Sequence, residues 1–168
     1  NALQRANPEM QKRVSNVVRA LAEMEGNPCV SIHDHGAGGH LNALSELVEN
    51  TGGEIDVNAL PIGDTTLSAK EIIGNESQER MGLVLRTEDV EKVRAIAERE
   101  QAPFYIVGRT TGDNRFVFRQ KDGRKPIDLA MADMFGSSPK TIIRDDEIPR
   151  EFAPVEYDPE RIEEYLQR

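Results

Sequence analysis

Between Cys29 and Val48 the chain passes from a short apolar run to apolar residues at helical spacing, about 3.6 residues. Cys29-Val30-Ser31-Ile32 is a short apolar run that predicts a buried strand. His33 to His40, "HDHGAGGH", is a glycine-rich turn, and Leu41, Leu44, Leu47 and Val48 then form a helical stripe that Asn50 to Gly53 brings to a stop. A strand that passes through a glycine loop directly into a helix needs a sheet with helices packed on it. The pattern therefore confines the fold to the α/β or α+β classes.

The rest of the chain repeats this interleaving. Asn7-Pro8 reads as an N-cap followed by proline at the first helical position, with Met10, Val14, Val17, Val18, Leu21 and Met24 inward and Gly26-Asn27-Pro28 as the stop. Strands are predicted at 54–58, 81–86 and 104–110, with a hairpin of 115–120 and 125–129 around Lys121-Asp122-Gly123. Ser68 and Glu71 have capping-box spacing for a helix through Ile73. Thr87 is expected to cap a helix carrying Val90, Val93, Ile96 and Ala97, and Ala130 to Phe135 to form a short one. The prediction is a mixed β-sheet packed against helices in one domain, residues 1–136. Residues 137–168, rich in proline and charge, are expected to be a linker with a short helix after Asp158-Pro159.

Composition limits the function. A net charge of −9 with no basic stripe argues against a nucleic-acid surface. The apolar runs are only a few residues long, so no membrane span is expected. Cys29 is the single cysteine, which excludes an internal disulfide and predicts a reducing, cytoplasmic setting. It lacks a neighbouring acid–base pair and is expected to be a core residue. The chain opens at Asn1 without methionine, as expected of a processed chain or a piece of a longer one.

Two polar segments carry the chemistry. The turn after Cys29–Ile32 holds all three histidines, His33, His35 and His40, with Asp34 between the first two. A transition-metal site, a decorated turn and a phosphate or hard-cation site are all open readings of it. The glycines favour the last, because Gly36, Ala37, Gly38 and Gly39 leave backbone N–H groups open to an anion at a helix start. Asp34 is an oxygen donor of the kind magnesium prefers. The second segment, Asn75-Glu76-Ser77-Gln78-Glu79-Arg80, puts six polar residues before an apolar strand. It can bind a sugar, amide or phosphate, or simply be a solvated loop. Arg109, Arg115, Arg119, Lys121, Arg124 and Lys125 are expected to form a solvated hairpin face.

"QRANPEMQKR", "IHDHGAGGHLNALSELV" and "GNESQERM", in that order and spacing, resemble the phosphoribosylformylglycinamidine synthase family within the aminoimidazole-ribonucleotide-synthetase superfamily. "QAPFYIVGR" and "PIDLAMADMFG" extend the likeness over residues 1–136. The resemblance implies an AIR-synthetase C-terminal-domain-like fold, here the first such domain of a large single-chain enzyme. It implies a purine-biosynthesis ligase in which ATP activates the amide oxygen of formylglycinamide ribonucleotide and ammonia from glutamine displaces phosphate, giving formylglycinamidine ribonucleotide. Carried over residue by residue, Asp34 matches a magnesium ligand, and Gln4, Glu76, Ser77 and Gln78 match substrate-binding positions. The cofactors implied are Mg2+ and ATP, the latter bound mainly outside this chain. The partners implied are the ATP-binding N-type domains and the glutaminase domain of the same polypeptide, so the isolated chain is expected to be inactive. His35 and His40 stand where apolar residues are expected in many relatives, and are read as neutral local variation.

Three alternatives remain at this level: a non-catalytic binding or assembly module of the same fold, another ATP-dependent enzyme of the superfamily, and a metal hydrolase built on His33, His35 and Asp34.

Overall fold

The computed structural model describes residues 7–76, 79–136, 139–146, 149–154 and 156–167. Two compact units divide the chain, residues 1–137 and 138–168.

The first unit opens with helix α1, Pro8–Ala22, started as the sequence predicts: the Asn7 side chain accepts a bond from the Met10 amide, and proline occupies the first turn. The helix ends at Ala22, ahead of Gly26. Strand β1, Cys29–Asp34, leads through the glycine turn into α2, Gly39–Leu47. Next come β2, Gly53–Asp56, and α3, Ala69–Ile73, whose Ser68–Glu71 capping box is fully formed. β3, Met81–Leu85, precedes α4, Val90–Arg99. Strands β4, Gly108–Thr110, β5, Arg115–Arg119, and β6, Ile127–Ala130, are followed by α5, Met131–Phe135.

The strands form two sheets. β1 and β3 pair antiparallel, Asp34 opposite Met81 and Ile32 opposite Leu83. The other sheet has the order β4-β2-β5-β6 and is mixed, since β2 and β5 run parallel while the outer pairs are antiparallel. The expected α/β class with mixed pairing is what the chain forms.

Two apolar cores result. One lies between the four-stranded sheet and α2 and α3, centred on Phe116 and Phe118, fully buried and edge-to-face at 5.2 Å. The other joins α1 and α4 through Val17, Leu21, Val93 and Ile96. β3 serves both. Val84 packs on the first core, and Leu83 and Leu85 on the second, as strand alternation requires.

Several local expectations need correction. β1 is not a fully buried strand: Val30 and Ile32 are 61% and 42% exposed on its outer face, because only its alternate residues meet helices. Cys29 is half-buried at the strand's start rather than in the core, its thiol donating to the Ser31 carbonyl and pushed up in pKa by burial. Thr87 does not cap α4; it begins a 3-10 turn, Thr87–Asp89, that feeds the helix without a side-chain cap. The strand expected at 54–58 stops at Asp56, whose carboxylate accepts from the Asn58 amide and starts the turn Val57–Ala59. The strand expected at 104–110 is only Gly108–Thr110, because Phe104 packs on the α1/α4 core while Val107 packs on the other. One extended ladder cannot serve both.

The second unit contains the 3-10 turn Pro159–Arg161 and α6, Ile162–Leu166, where Asp158 accepts from the Glu160 amide.

Candidate functional site

The end of β1 brings the two polar segments together. Residues Gly36 to Gly38 turn the chain, and Gly38 and Gly39 both take left-handed backbone angles, φ +80° and +61°. Gly39 has a second reason to lack a side chain. A Cβ there would lie 2.5 Å from the Asn75 carbonyl oxygen and 2.7 Å from the Gly74 carbonyl carbon. The start of the 75–80 segment therefore packs backbone-on-backbone against the start of α2. Its other end is tied by the His35 amide donating to the Arg80 carbonyl at 3.1 Å, just before the β1/β3 ladder begins.

Asp34 and Glu76 are the predicted side chains that the structure describes near these ties. Asp34 ends β1 with its side chain 75% exposed, and the imidazole of His33 is 3.8 Å from one carboxylate oxygen. Gly36 follows it closely enough that a Cβ would stand 3.7 Å from Asp34 Oδ2. Glu76 is half-buried in the adjoining segment. Gln4, Ser77 and Gln78 lie outside the described residues. An open cleft of about 590 Å3 runs from Asn75 and Gly74 along α3 past Lys70 and Glu71.

The histidines do not converge on Asp34. His33 turns toward α2, where Nε2 meets the Glu46 carboxylate; the Asp34 carbonyl at Nδ1, 2.7 Å away, raises its pKa. His35 and His40 are buried and meet each other, Nε2 to Nδ1 at 3.1 Å with the rings edge-to-face. Desolvation lowers both to about 4, helped for His40 by His35 and Arg80 and for His35 chiefly by Arg80, so the pair is neutral at ordinary pH. Arg80 Nη1 reaches His40 Nε2 at 3.4 Å, and Nη2 donates to the Pro61 carbonyl at 3.4 Å. Among the described residues no group of three His, Cys, Asp or Glu side chains gathers as a metal cluster, so the hydrolase arrangement of His33, His35 and Asp34 is not formed. A magnesium ion asks less. It binds through one or two carboxylates and keeps water and phosphate oxygens as its other ligands, and the open carboxylate of Asp34 suits that.

Sequence reasoning missed the partnership of His35, His40 and Arg80. The only sequence signal was the placement of two histidines on opposite sides of the glycine turn.

The basic residues around the hairpin face solvent, all but Lys121 with a carboxylate partner among the described residues. Arg115 and Lys125 pair with Asp128, Arg109 and Arg119 with Glu54, and Arg124 with Asp122.

Comparison with known proteins shows what the chain is similar to. The chain is 38% identical over 150 residues to phosphoribosylformylglycinamidine synthase of Dictyostelium discoideum, covering 86% of this chain and 11% of that protein. It is 43% identical over 117 residues to the enzyme of that name from Homo sapiens, covering 69% of this chain and 9% of that protein. The chain thus spans about a tenth of the length of these curated relatives. Among solved structures, Thermotoga maritima PurL complexed with FGAR has the same fold, with TM-score 0.72 and 24% identity over 96% of this chain and 27% of that one. The same protein complexed with ATP gives a TM-score of 0.73 at 23% identity, over 92% of this chain and 27% of that one. Residues 1–121 match the family described as AIR synthase related protein, C-terminal domain, and to that family this chain belongs.

Proposed function

We propose that this chain is the C-type domain of a phosphoribosylformylglycinamidine synthase, an ATP-dependent C–N ligase of purine biosynthesis, and that it supplies half of the substrate pocket. One observation carries the reading. The glycine turn 36–39 and the polar segment 75–80, remote in sequence, meet at Gly39 and Asn75 so closely that no side chain fits between them. The relatives whose names contain that activity, and the PurL complexes with FGAR and ATP, support it.

In this reading Asp34 holds Mg2+, which when bound neutralises phosphate charge. The exposed carboxylate is a hard oxygen donor with room beside it, since the next residue but one is glycine. The backbone N–H groups of Gly36, Ala37 and Gly38 are offered to phosphate oxygens at the first turn of α2, while that of Gly39, also expected to take part, already donates to the Gly36 carbonyl at 3.1 Å. Glu76, Ser77, Gln78 and Gln4 orient formylglycinamide ribonucleotide, presenting its amide oxygen to ATP. Phosphorylation of that oxygen makes a leaving group of it, and ammonia then replaces it to give the amidine, with ADP and phosphate released. ATP binding, ammonia supply and the opposite wall of the pocket come from N-type and glutaminase domains of the same polypeptide. Residues 1–136 form the functional domain, 137–168 its exit linker, and the setting is cytoplasmic.

The test is kinetic. In the full-length protein, Glu76→Ala and Gln78→Ala should each lower kcat/KM for formylglycinamide ribonucleotide by roughly two- to hundredfold, corresponding to one hydrogen bond to a neutral or charged group. Glutaminase activity and melting temperature should stay near wild type. Wild-type kinetics in both variants would make the segment a solvated loop and leave a non-catalytic module as the better reading.

A further inference from the structure

We propose that His35, His40 and Arg80 form one buried brace that positions the 75–80 segment against the glycine turn, with His40 as its central positioning residue. The inference rests on reading these two segments as a substrate site.

The hydrogen bonds have only one self-consistent direction. A guanidinium carries donors alone, so His40 Nε2, 3.4 Å from Arg80, accepts. The proton of the neutral His40 ring then sits on Nδ1 and is donated to His35 Nε2 at 3.1 Å. That leaves the His35 proton on Nδ1, which is buried and has no partner among the described residues. The chain of donors runs from Arg80 to His40 to His35. Its anchors are separate pieces of the fold: the exit of β1, the first turn of α2, the entry to β3, and Pro61 through the second arm of Arg80. The main-chain bond from His35 to Arg80 closes the frame.

Packing alone does not account for this arrangement. Two imidazoles and half of a guanidinium are taken from water with no carboxylate partner among the described residues, where apolar side chains of similar volume would be buried without that cost. Hydrogen bonds give what dispersion does not, a fixed orientation. The residue next to Arg80 is strained. Glu79, immediately before Arg80, is a non-glycine residue at φ +59°, a conformation that persists only when its surroundings impose it. Loss of the brace therefore releases the strained end of the segment, while Gly39 still clamps its beginning.

The test uses the ligand-free full-length protein first. In His40→Leu, amide hydrogen exchange should accelerate together in 35–42 and 75–80 and stay unchanged in β5. With ATP and Mg2+ present, KM for formylglycinamide ribonucleotide should rise about tenfold while kcat stays within about threefold, as for a lost orienting hydrogen bond. His40→Gln, whose amide oxygen can accept from Arg80, should restore KM to within about threefold. Faster exchange confined to α2, or a lowered melting temperature with KM unmoved, would reduce the cluster to ordinary core packing. If the wild-type protein ignored formylglycinamide ribonucleotide, the substrate reading would fall, and exchange in 75–80 alone would decide the brace.

Discussion

Over the four-stranded sheet, Arg115 and Lys125 share Asp128 while Arg109 and Arg119 share Glu54, all at the surface. At the end of β1 the arrangement is reversed. The carboxylate of Asp34 stands open, and Arg80 is half-buried against neutral imidazole and carbonyl groups. Charges that are paired in water contribute little and bind little, because each partner already satisfies the other. An open carboxylate beside a glycine turn, backed by buried polar groups, is the arrangement we propose as the ligand site. A second cleft of about 590 Å3 lies over the sheet, where Glu54, Arg109 and Arg119 engage one another and Asp56 accepts from the Asn58 amide, leaving Lys121 as the charged lining residue with no ion pair among the described residues. Volume does not separate the two regions. The state of the carboxylates does: Glu54 is held by two arginines, and Asp34 is open.

Breaking the contact between the glycine turn and the 75–80 segment should have the largest effect. Gly39→Ala adds a Cβ where only 2.5 Å separates it from a backbone oxygen, on a left-handed backbone. We expect a loss of about 2–3 kcal/mol in urea unfolding of the full-length protein, combining the left-handed cost with local strain. Substrate affinity should fall with it. A variant as stable as wild type would mean that the two segments separate without penalty.

The next effect is chemical. Asp34→Asn removes a charged oxygen donor from an exposed position and leaves the core untouched. Turnover should drop about tenfold or more, with partial recovery at high Mg2+, while melting stays within a degree or two. Kinetics that are unchanged at every Mg2+ concentration would return Asp34 to a structural role.

His40 separates the regions by pH. Its folded pKa is depressed to about 4, with His35 and Arg80 facing it, while in the unfolded chain it titrates near 6.5. The unfolded state takes up the proton first, so the neutral form's contribution is complete above about 6.5 and is lost as pH falls toward about 4. Urea midpoints measured across that window should fall more steeply for wild type than for His40→Leu. Parallel curves would show that the ring is not kept neutral by the fold.

What could be read beforehand follows from the range of the forces involved. The Asn7 cap, the Ser68–Glu71 box and the hairpin at Lys121-Asp122-Gly123 are local, so residue order predicts them, and they formed. The run 104–110 formed a strand only over Gly108–Thr110, because Phe104 and Val107 are drawn to different cores, a matter of tertiary placement. The same limit applies at the candidate site. Asp34 and the glycines announce themselves by type, whereas the approach of Gly39 to Asn75 and the Arg80–His40–His35 chain exist only once β1 and β3 are side by side. Burial decides which reading of a histidine is correct, and spacing does not report burial.

The smallest effect should come from the paired surface, and it is the control for everything above. Arg119→Gln removes the guanidinium that holds the Glu54 carboxyl below its usual range, through a bond of 2.6 Å between exposed groups. Arg109 remains near the same carboxylate, so Glu54 is not stranded. Side chains this exposed exchange a partner for water at little cost, and salt screens what remains over about 10 Å at moderate ionic strength. Substrate constants should equal those of wild type, and any shift in melting temperature should vanish in about 0.5 M salt. A salt-independent loss of substrate affinity in this variant would erase the distinction between the two regions and move the candidate site toward the sheet.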